Sequence, residues 1–149
     1  MDDRISELPG EILSYILTML SMKDLMKTSI LSRRWCNVWS LRRDLHFDVF
    51  NVLGSDKELI ENNFDTSRDE FAKRVDQFVK NFKGTKIDSF LVNFKLDCEQ
   101  SSTVNQWIRF AVTKRVGRMD LLFLGRPYAY ACRTRHNYFK LDFALFLGD

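Results

Sequence analysis

Apolar residues recur at helical spacing from Ile12 to Leu20. The spacing i, i+1, i+4, i+5 and i+8 predicts a helix with one broad apolar stripe, formed by Ile12, Leu13, Ile16, Leu17 and Leu20. Pro9 suits the first helical position because its missing N–H would have no intrahelical partner there. Glu11 lies in the first turn, where the helix dipole favours a carboxylate. The pattern therefore predicts a first helix that begins at Pro9.

Two further helix signals follow closely. Ser21 and Asp24 form an S-x-x-D start signal for a second helix, whose apolar side is Leu25, Met26, Ile30 and Leu31. Ser32 can cap a third short helix through Trp35 and Trp39, which stand four residues apart and so share a helix face. A segment of roughly 40 residues cannot bury this much apolar surface by itself. The stretch from Arg4 to Trp39 is therefore interpreted as a docking module.

The pattern changes after Trp39. A short strand is predicted by the alternation of Leu45, Phe47 and Val49 with polar residues. The polar residues 54–70 then predict a solvated connection, with a helical turn around Leu59 and Ile60. An amphipathic helix is expected next, with Gly84 as its stop signal and Phe71, Val75, Phe78, Val79 and Phe82 on its apolar face. Strands are predicted at 90–96, 119–123 and 141–147. Between the first two, a helix with N-cap candidates at 101–103 is predicted, and its apolar face is Val104, Trp107, Ile108, Ala111 and Val112.

Three of these strands share a signature of the form L-x-x-L-x-L. It is Ile87-x-x-Phe90-x-Val92, then Val116-x-x-Met119-x-Leu121, then Tyr138-x-x-Leu141-x-Phe143. Its middle position recurs after 29 and then 22 residues, within the roughly 20–29 residues of leucine-rich repeats. Helices between the strands favour a parallel sheet. Both a repeat solenoid and an ordinary small α/β sheet fit this pattern.

The first forty residues resemble a known family. The motifs D-R-I-S-x-L-P-x-E-I-L-x-x-I-L-x-x-L-x-x-K-D and T-S-x-L-S-R-R-W-x-x-x-W, at residues 3–24 and 28–39, resemble the plant F-box that precedes leucine-rich repeats. Residues 71–124, which include STVNQWIRFAVTKRV, resemble the start of the repeat region in F-box proteins of the FBD type. The resemblance implies an α+β fold, with an N-terminal three-helix F-box followed by an incomplete leucine-rich-repeat α/β solenoid with a parallel sheet. The expected divisions are an F-box at 1–41, a strand and polar connection at 42–70, and the repeat region at 71–149.

The resemblance also implies a function. An F-box docks on the Skp adaptor of an SCF-type cullin–RING ubiquitin ligase. By the resemblance, this protein would be the non-catalytic substrate-recognition subunit of such a ligase. It would promote the ubiquitination and proteasomal degradation of a target protein that the sequence does not identify. By this similarity the adaptor contact would be carried by Leu8, Pro9, Ile12, Leu13, Ile16, Leu17, Leu20, Leu25, Leu31 and Trp35. The alternatives are a generic interaction module on a small α/β domain unrelated to ubiquitin, or a truncated F-box protein without a target.

Composition narrows the function classes. A net charge of +3 from 23 basic and 20 acidic side chains is too small to indicate nucleic acid as the main partner. The N-terminus lacks the features of a signal peptide, and no apolar run reaches the ~20 residues of a membrane span. We therefore expect no membrane association, and a cytoplasmic or nuclear location.

Candidate chemistry is sparse. Cys36, Cys98 and Cys132 form neither a disulfide framework nor, with the two histidines, a zinc pattern. His46 lies on the polar phase of its strand and is expected at the surface. No nucleophile–base pair, carboxylate pair or phosphate loop has credible spacing, so neither an enzyme nor a cofactor is expected.

The repeat region is short for the family it resembles. Such regions normally continue past two or three repeats, whereas this sequence ends after one more alternating segment, and RPYAYACRTRHNYF does not match the usual linking segment. The expectation is a short or truncated member that docks but holds a target poorly.

Overall fold

The structure is a computed structural model that describes residues 4–5, 7–28, 39–54, 64–96 and 98–123. Three earlier predictions lie outside these residues: the third helix with Leu31 and Trp35, the turn around Leu59 and Ile60, and the strand at 141–147. No helix among the described residues is long and apolar enough to cross a membrane.

Two short helices open the described chain. Helix α1 spans Gly10–Met19 and helix α2 spans Met22–Thr28. The Pro9 carbonyl accepts the N–H of Leu13 at 3.1 Å, so α1 begins within one residue of its predicted start. The predicted cap of α2 is confirmed, because the backbone N–H of Asp24 donates to Ser21 Oγ at 3.1 Å and that hydroxyl donates to the Asp24 carboxylate at 2.7 Å.

The remaining elements alternate between strands and helices. After a 3₁₀ turn at Trp39–Leu41 come strand β1 (Asp44–Asp48), helix α3 (Val49–Leu53), helix α4 (Phe64–Asn81), strand β2 (Ser89–Asn93), helix α5 (Ser101–Thr113) and strand β3 (Arg118–Leu122). In the described part of the chain, the strands form one parallel sheet in the order β1-β2-β3. The α+β class is confirmed, and the sheet is consistent with leucine-rich-like repeats.

The repeat signature lies in register across the sheet. Phe90 pairs with Met119 and Val92 pairs with Leu121, so equivalent positions of two repeats are neighbours. Leu45 and Phe47 of β1 pair with Phe90 and Val92 in the same way. Each of these strands sends its signature residues to the helix-covered face, where Leu45, Phe47, Phe90 and Val92 are fully buried. The first strand therefore occupies the same register as the two strands that carry the signature.

Several boundaries differ from the predictions. The strand predicted through Val49 ends at Asp48, because the Asp48 carboxylate accepts the Asn51 N–H at 2.9 Å and caps α3. Helix α4 starts at Phe64, within the predicted polar connection, and its polar beginning is supported by the ion pair between Glu70 and Arg74 at 2.7 Å.

Helix α5 also departs from its predicted pattern at one residue. Val112 is partly exposed because, at 3.6 residues per turn, it lies about 80° from Val104, at the edge of the apolar stripe. Gln100, rather than one of the residues at 101–103, occupies the N-cap position, and it makes no side-chain capping hydrogen bond.

The core lies between the sheet and helices α4 and α5. Phe47 packs edge-on against Phe78 with centroids 5.3 Å apart, and Phe71 stacks on Phe94 at 4.2 Å. Trp107 of α5 is completely buried, and its indole N–H finds no acceptor among the described residues. Met22 and Leu25 of α2 join the same core, so the N-terminal helices and the sheet share one apolar interior.

Gly84 marks a close backbone approach between the loop after α4 and the 3₁₀ turn. A Cβ at this position would lie 2.6 Å from the Ser40 carbonyl oxygen and would also meet the Phe82 ring. We expect Gly84→Ala to lower the free energy of unfolding by about 1–3 kcal/mol through overpacking, measured by urea denaturation. Gly10→Ala is the control, since no atom lies within 4 Å of its added methyl group. Equal stability of the two variants would contradict this expectation.

Candidate functional site

Helix α1 carries apolar residues on two opposite sides. One side, with Leu13 and Leu17, is buried against the core and leaves at most 4% of either residue exposed. The other side exposes Ile12, Tyr15 and Met19, which follow one another at i, i+3 and i+7 and therefore share a face. Tyr15 is 62% exposed and Met19 is 68% exposed. With Ile5, which is half exposed just before the helix, these residues form what we call the α1 face.

Such a face is unusual for a surface helix. Surface helices of globular proteins normally place charged or polar residues opposite their buried stripe. A contiguous exposed apolar patch marks an interaction site, and Tyr and Met are enriched at the centres of interfaces. The α1 face therefore has the properties of a protein-binding surface.

The structure divides the residues predicted for this surface into two groups. Pro9 and Ile12 are exposed, and Leu8, Ile16 and Leu20 are partly buried. Leu13, Leu17 and Leu25 lie in the core. Leu31 and Trp35 lie outside the described residues.

Sequence periodicity placed the apolar residues of α1 on one broad stripe and overlooked Tyr15 and Met19. One signal for them was present in the sequence: Glu11 is the single charged residue of this helix, so its outer side has few polar groups.

Arg42 holds α1 in place from a distant part of the chain. It is buried, and its Nη1 donates to the carbonyls of Leu17 at 3.0 Å and Leu20 at 2.8 Å. Its Nε donates to the Asp44 carbonyl at 3.0 Å, at the start of β1. The last turn of α1 contains no basic residue, so Arg42 supplies a positive charge there. It also gives the Leu17 carbonyl a second donor, beside the Leu20 N–H at 3.3 Å.

Burial has an electrostatic consequence at this arginine. Desolvation lowers the pKa of the Arg42 guanidinium from its ordinary value, while the nearby Asp44 carboxylate acts in the opposite direction. The guanidinium remains protonated at neutral pH because an arginine pKa starts so high.

Sequence analysis missed Arg42, although it precedes Leu45 by three positions, as Ile87 precedes Phe90 in the repeat signature.

The open face of the sheet carries a polar network. Ser89 donates its hydroxyl to Asp44 at 2.6 Å, and His46 Nε2 lies 3.1 Å from the same hydroxyl oxygen. His46 is exposed, as the alternation predicted. In a Ser-His-Asp triad the acid orients the histidine, whereas here the acid contacts the serine. This network is therefore a polar surface rather than a nucleophile with its base.

Comparison with known proteins identifies the N-terminal region. The F-box domain family model matches residues 5–47, which include α1, α2, Arg42 and most of β1. An F-box/FBD/LRR-repeat protein of Arabidopsis thaliana is 29% identical over 147 residues, covering 89% of this chain and 30% of the relative.

Two further relatives from the same plant are more similar over shorter stretches. An F-box/LRR-repeat protein is 34% identical over 116 residues, covering 77% of this chain and 34% of the relative. F-box/LRR-repeat protein 13 is 34% identical over 127 residues, covering 80% of this chain and 24% of the relative.

The chain spans about a quarter to a third of the length of these relatives. No solved structure shows a significant match to it. The matches extend beyond the F-box into the strands and helices that follow. The chain is therefore an F-box domain protein related to plant F-box/LRR-repeat and F-box/FBD/LRR-repeat proteins.

Proposed function

We propose that this protein binds the Skp adaptor of an SCF-type cullin–RING ubiquitin ligase through its α1 face and serves as a non-catalytic substrate-recognition subunit. The observation that carries the proposal is the exposed apolar side of α1 in a chain whose residues 5–47 match the F-box. F-box proteins are generally adaptors rather than catalysts. Ubiquitin transfer to the target is accordingly assigned to other subunits of the ligase.

The predicted contact residues take two roles in this proposal. Pro9 and Ile12, with partly buried Leu8, Ile16 and Leu20, contact the adaptor directly, and Tyr15 and Met19 extend the contact. Leu13, Leu17 and Leu25 act indirectly, because they fix the helices on the core. Leu31 and Trp35 are proposed as further contacts. A polar substitution at Leu13 would therefore test folding rather than docking.

The sheet region supplies the second half of the mechanism. Since Arg42 joins α1 to β1, a target held by the repeat region would be carried at a defined orientation to the adaptor. Holding the target beside the ubiquitin donor raises the effective concentration of its lysines, which is how a non-catalytic subunit accelerates transfer. The target protein is to be identified by affinity purification.

The docking claim can be tested by two substitutions on the α1 face. Ile12→Asp together with Met19→Asp should weaken binding to a purified Skp-type adaptor by at least about tenfold, because both carboxylates would be desolvated in an apolar contact. Isothermal titration calorimetry measures the affinity, and circular dichroism checks that the fold is retained.

Phe50→Asp is the matched control. Phe50 is 72% exposed and lies on a different helix, α3, so its replacement should leave adaptor affinity unchanged. Undiminished binding by the double variant would exclude this docking surface. Failure of the unaltered protein to bind any Skp-type adaptor would instead support the alternative, an interaction module unrelated to ubiquitin.

A further inference from the structure

A cleft opens between helices α2, α3 and α4. Its volume is ≈ 270 Å³, and its floor is made by the buried side chains of Met22, Phe47, Val52, Val75 and Phe78. The cleft is partly open to solvent, and its apolar floor belongs to the same core as the sheet. Its walls are adaptable, because methionine side chains follow the shape of an apolar ligand.

Cationic groups surround the mouth of the cleft. Lys23 and Lys27 project from α2 and Arg74 from α4. Arg74 also donates to the Val52 carbonyl at 3.0 Å, which holds its guanidinium beside the cleft. Lys23 lies over Gly54, where the ammonium nitrogen is 3.1 Å from the position that a Cβ would occupy. Three basic side chains from two helices thus meet at one apolar opening.

The acidic groups at the mouth offset this charge only in part. Glu70 accepts from Arg74 Nε at 2.7 Å, and Asp24 lies 3.8 Å from Lys27. Among the ion pairs between described residues, Lys27 and Arg74 each have an acidic partner and Lys23 has none. Lys23 beside an apolar floor is complementary to a ligand with one negative charge and an apolar tail.

We propose that this cleft binds a monoanionic amphiphile, an alkyl carboxylate of medium length. The tail occupies the space above Phe47 and Phe78, and the carboxylate meets Lys23 at the mouth. The ≈ 270 Å³ of the cleft is ample for an alkyl tail of medium length, since about 10–15 Å³ of such volume is enough to hold one water molecule. Since α2 belongs to the F-box match and α4 does not, the bound ligand bridges the F-box and a helix beyond it.

The test uses octanoate as the probe and the full chain as the protein. Octanoate should bind with a 1:1 stoichiometry in calorimetry and shift the amide resonances of residues 22–28 and 75–78. Octylammonium has the same tail with the opposite charge and should bind at least about tenfold more weakly. Equal affinity for the two probes would show that charge plays no part and would overturn the proposal.

Three variants locate the site. Lys23→Gln with Lys27→Gln should weaken octanoate binding by about fivefold or more, and Met26→Trp should prevent it by filling the cleft. Lys73→Gln is the matched control, since Lys73 is an exposed lysine of α4 that does not line the cleft. Unchanged octanoate affinity in either cleft variant would contradict the proposal.

The α1 face is the competing apolar site for any amphiphile. The Ile12→Asp and Met19→Asp variant should therefore bind octanoate as tightly as the unaltered protein. Loss of binding in this variant would assign the ligand to the α1 face and overturn the cleft proposal. The two proposals fail separately, because adaptor binding is measured without octanoate.

Discussion

Replacing Arg42 by methionine should lower the free energy of unfolding by about 3 kcal/mol. Methionine fills much of the same volume but donates no hydrogen bond, so the carbonyls of Leu17, Leu20 and Asp44 each lose a charged donor. Each such bond is worth roughly 1.5–3 kcal/mol. Part of this loss is offset, because methionine has no charge and so burying it carries no charge-desolvation cost. Urea denaturation followed by circular dichroism measures the change.

A local effect should accompany the global one. The C-terminal carbonyls of α1 lose their cap in Arg42→Met, so amide exchange near Leu20 should accelerate more than exchange in α5. Arg43→Met is the matched control, because Arg43 is half exposed and its ion pair with Asp88 is a surface pair. That variant should change stability by less than about 1 kcal/mol. Comparable losses in the two variants would remove the special role assigned to Arg42.

Replacing Trp107 by alanine should be the more damaging change, at about 4 kcal/mol. Trp107 is completely buried in α5 between β2 and β3 in the chain, and truncating such a side chain leaves a cavity that close-packed neighbours fill only partly. Chemical denaturation gives the loss, and the m-value shows whether the unfolding transition remains cooperative.

Trp107→Phe separates packing from hydrogen bonding at the same site. Phenylalanine keeps most of the ring and removes an indole N–H that has no acceptor among the described residues. Because phenylalanine leaves only part of the cavity and no hydrogen bond is lost, this variant should cost clearly less than alanine. A cost near that of alanine would reveal that the indole N–H does have a partner in the folded protein.

The local elements of this fold could largely be predicted from the sequence. The Ser21–Asp24 cap, the apolar stripe of α5 and the alternation around Phe90 all depend on residues within one or two turns of each other. Helices between the strands were enough to predict a parallel sheet, because parallel strands require a long crossover connection. The F-box itself was identified from its motif, whose fixed positions are contiguous in the chain.

The errors have equally specific causes. The polar beginning of α4 was interpreted as a connection because it has no apolar period to follow. The sequence did not align strand β1 with the two signature strands, because Arg42 occupies the position that an aliphatic residue takes in the signature. Arginine side chains are mostly exposed, so the sequence predicts a surface position for Arg42. Its burial becomes favourable through its hydrogen bonds to carbonyls at the end of α1.

The sequence by itself determined that α1 is an apolar helix in an F-box and that a parallel α/β region follows. It did not determine which side of α1 is buried, since two apolar stripes on one helix are equivalent until something packs against one of them. The tertiary structure places Leu13 and Leu17 on the core and exposes Ile12, Tyr15 and Met19. It also brings Arg42 to the end of α1 and α2 beside α4 to form the cleft. Periodicity and capping are local properties, whereas these features depend on contacts between residues far apart in the chain.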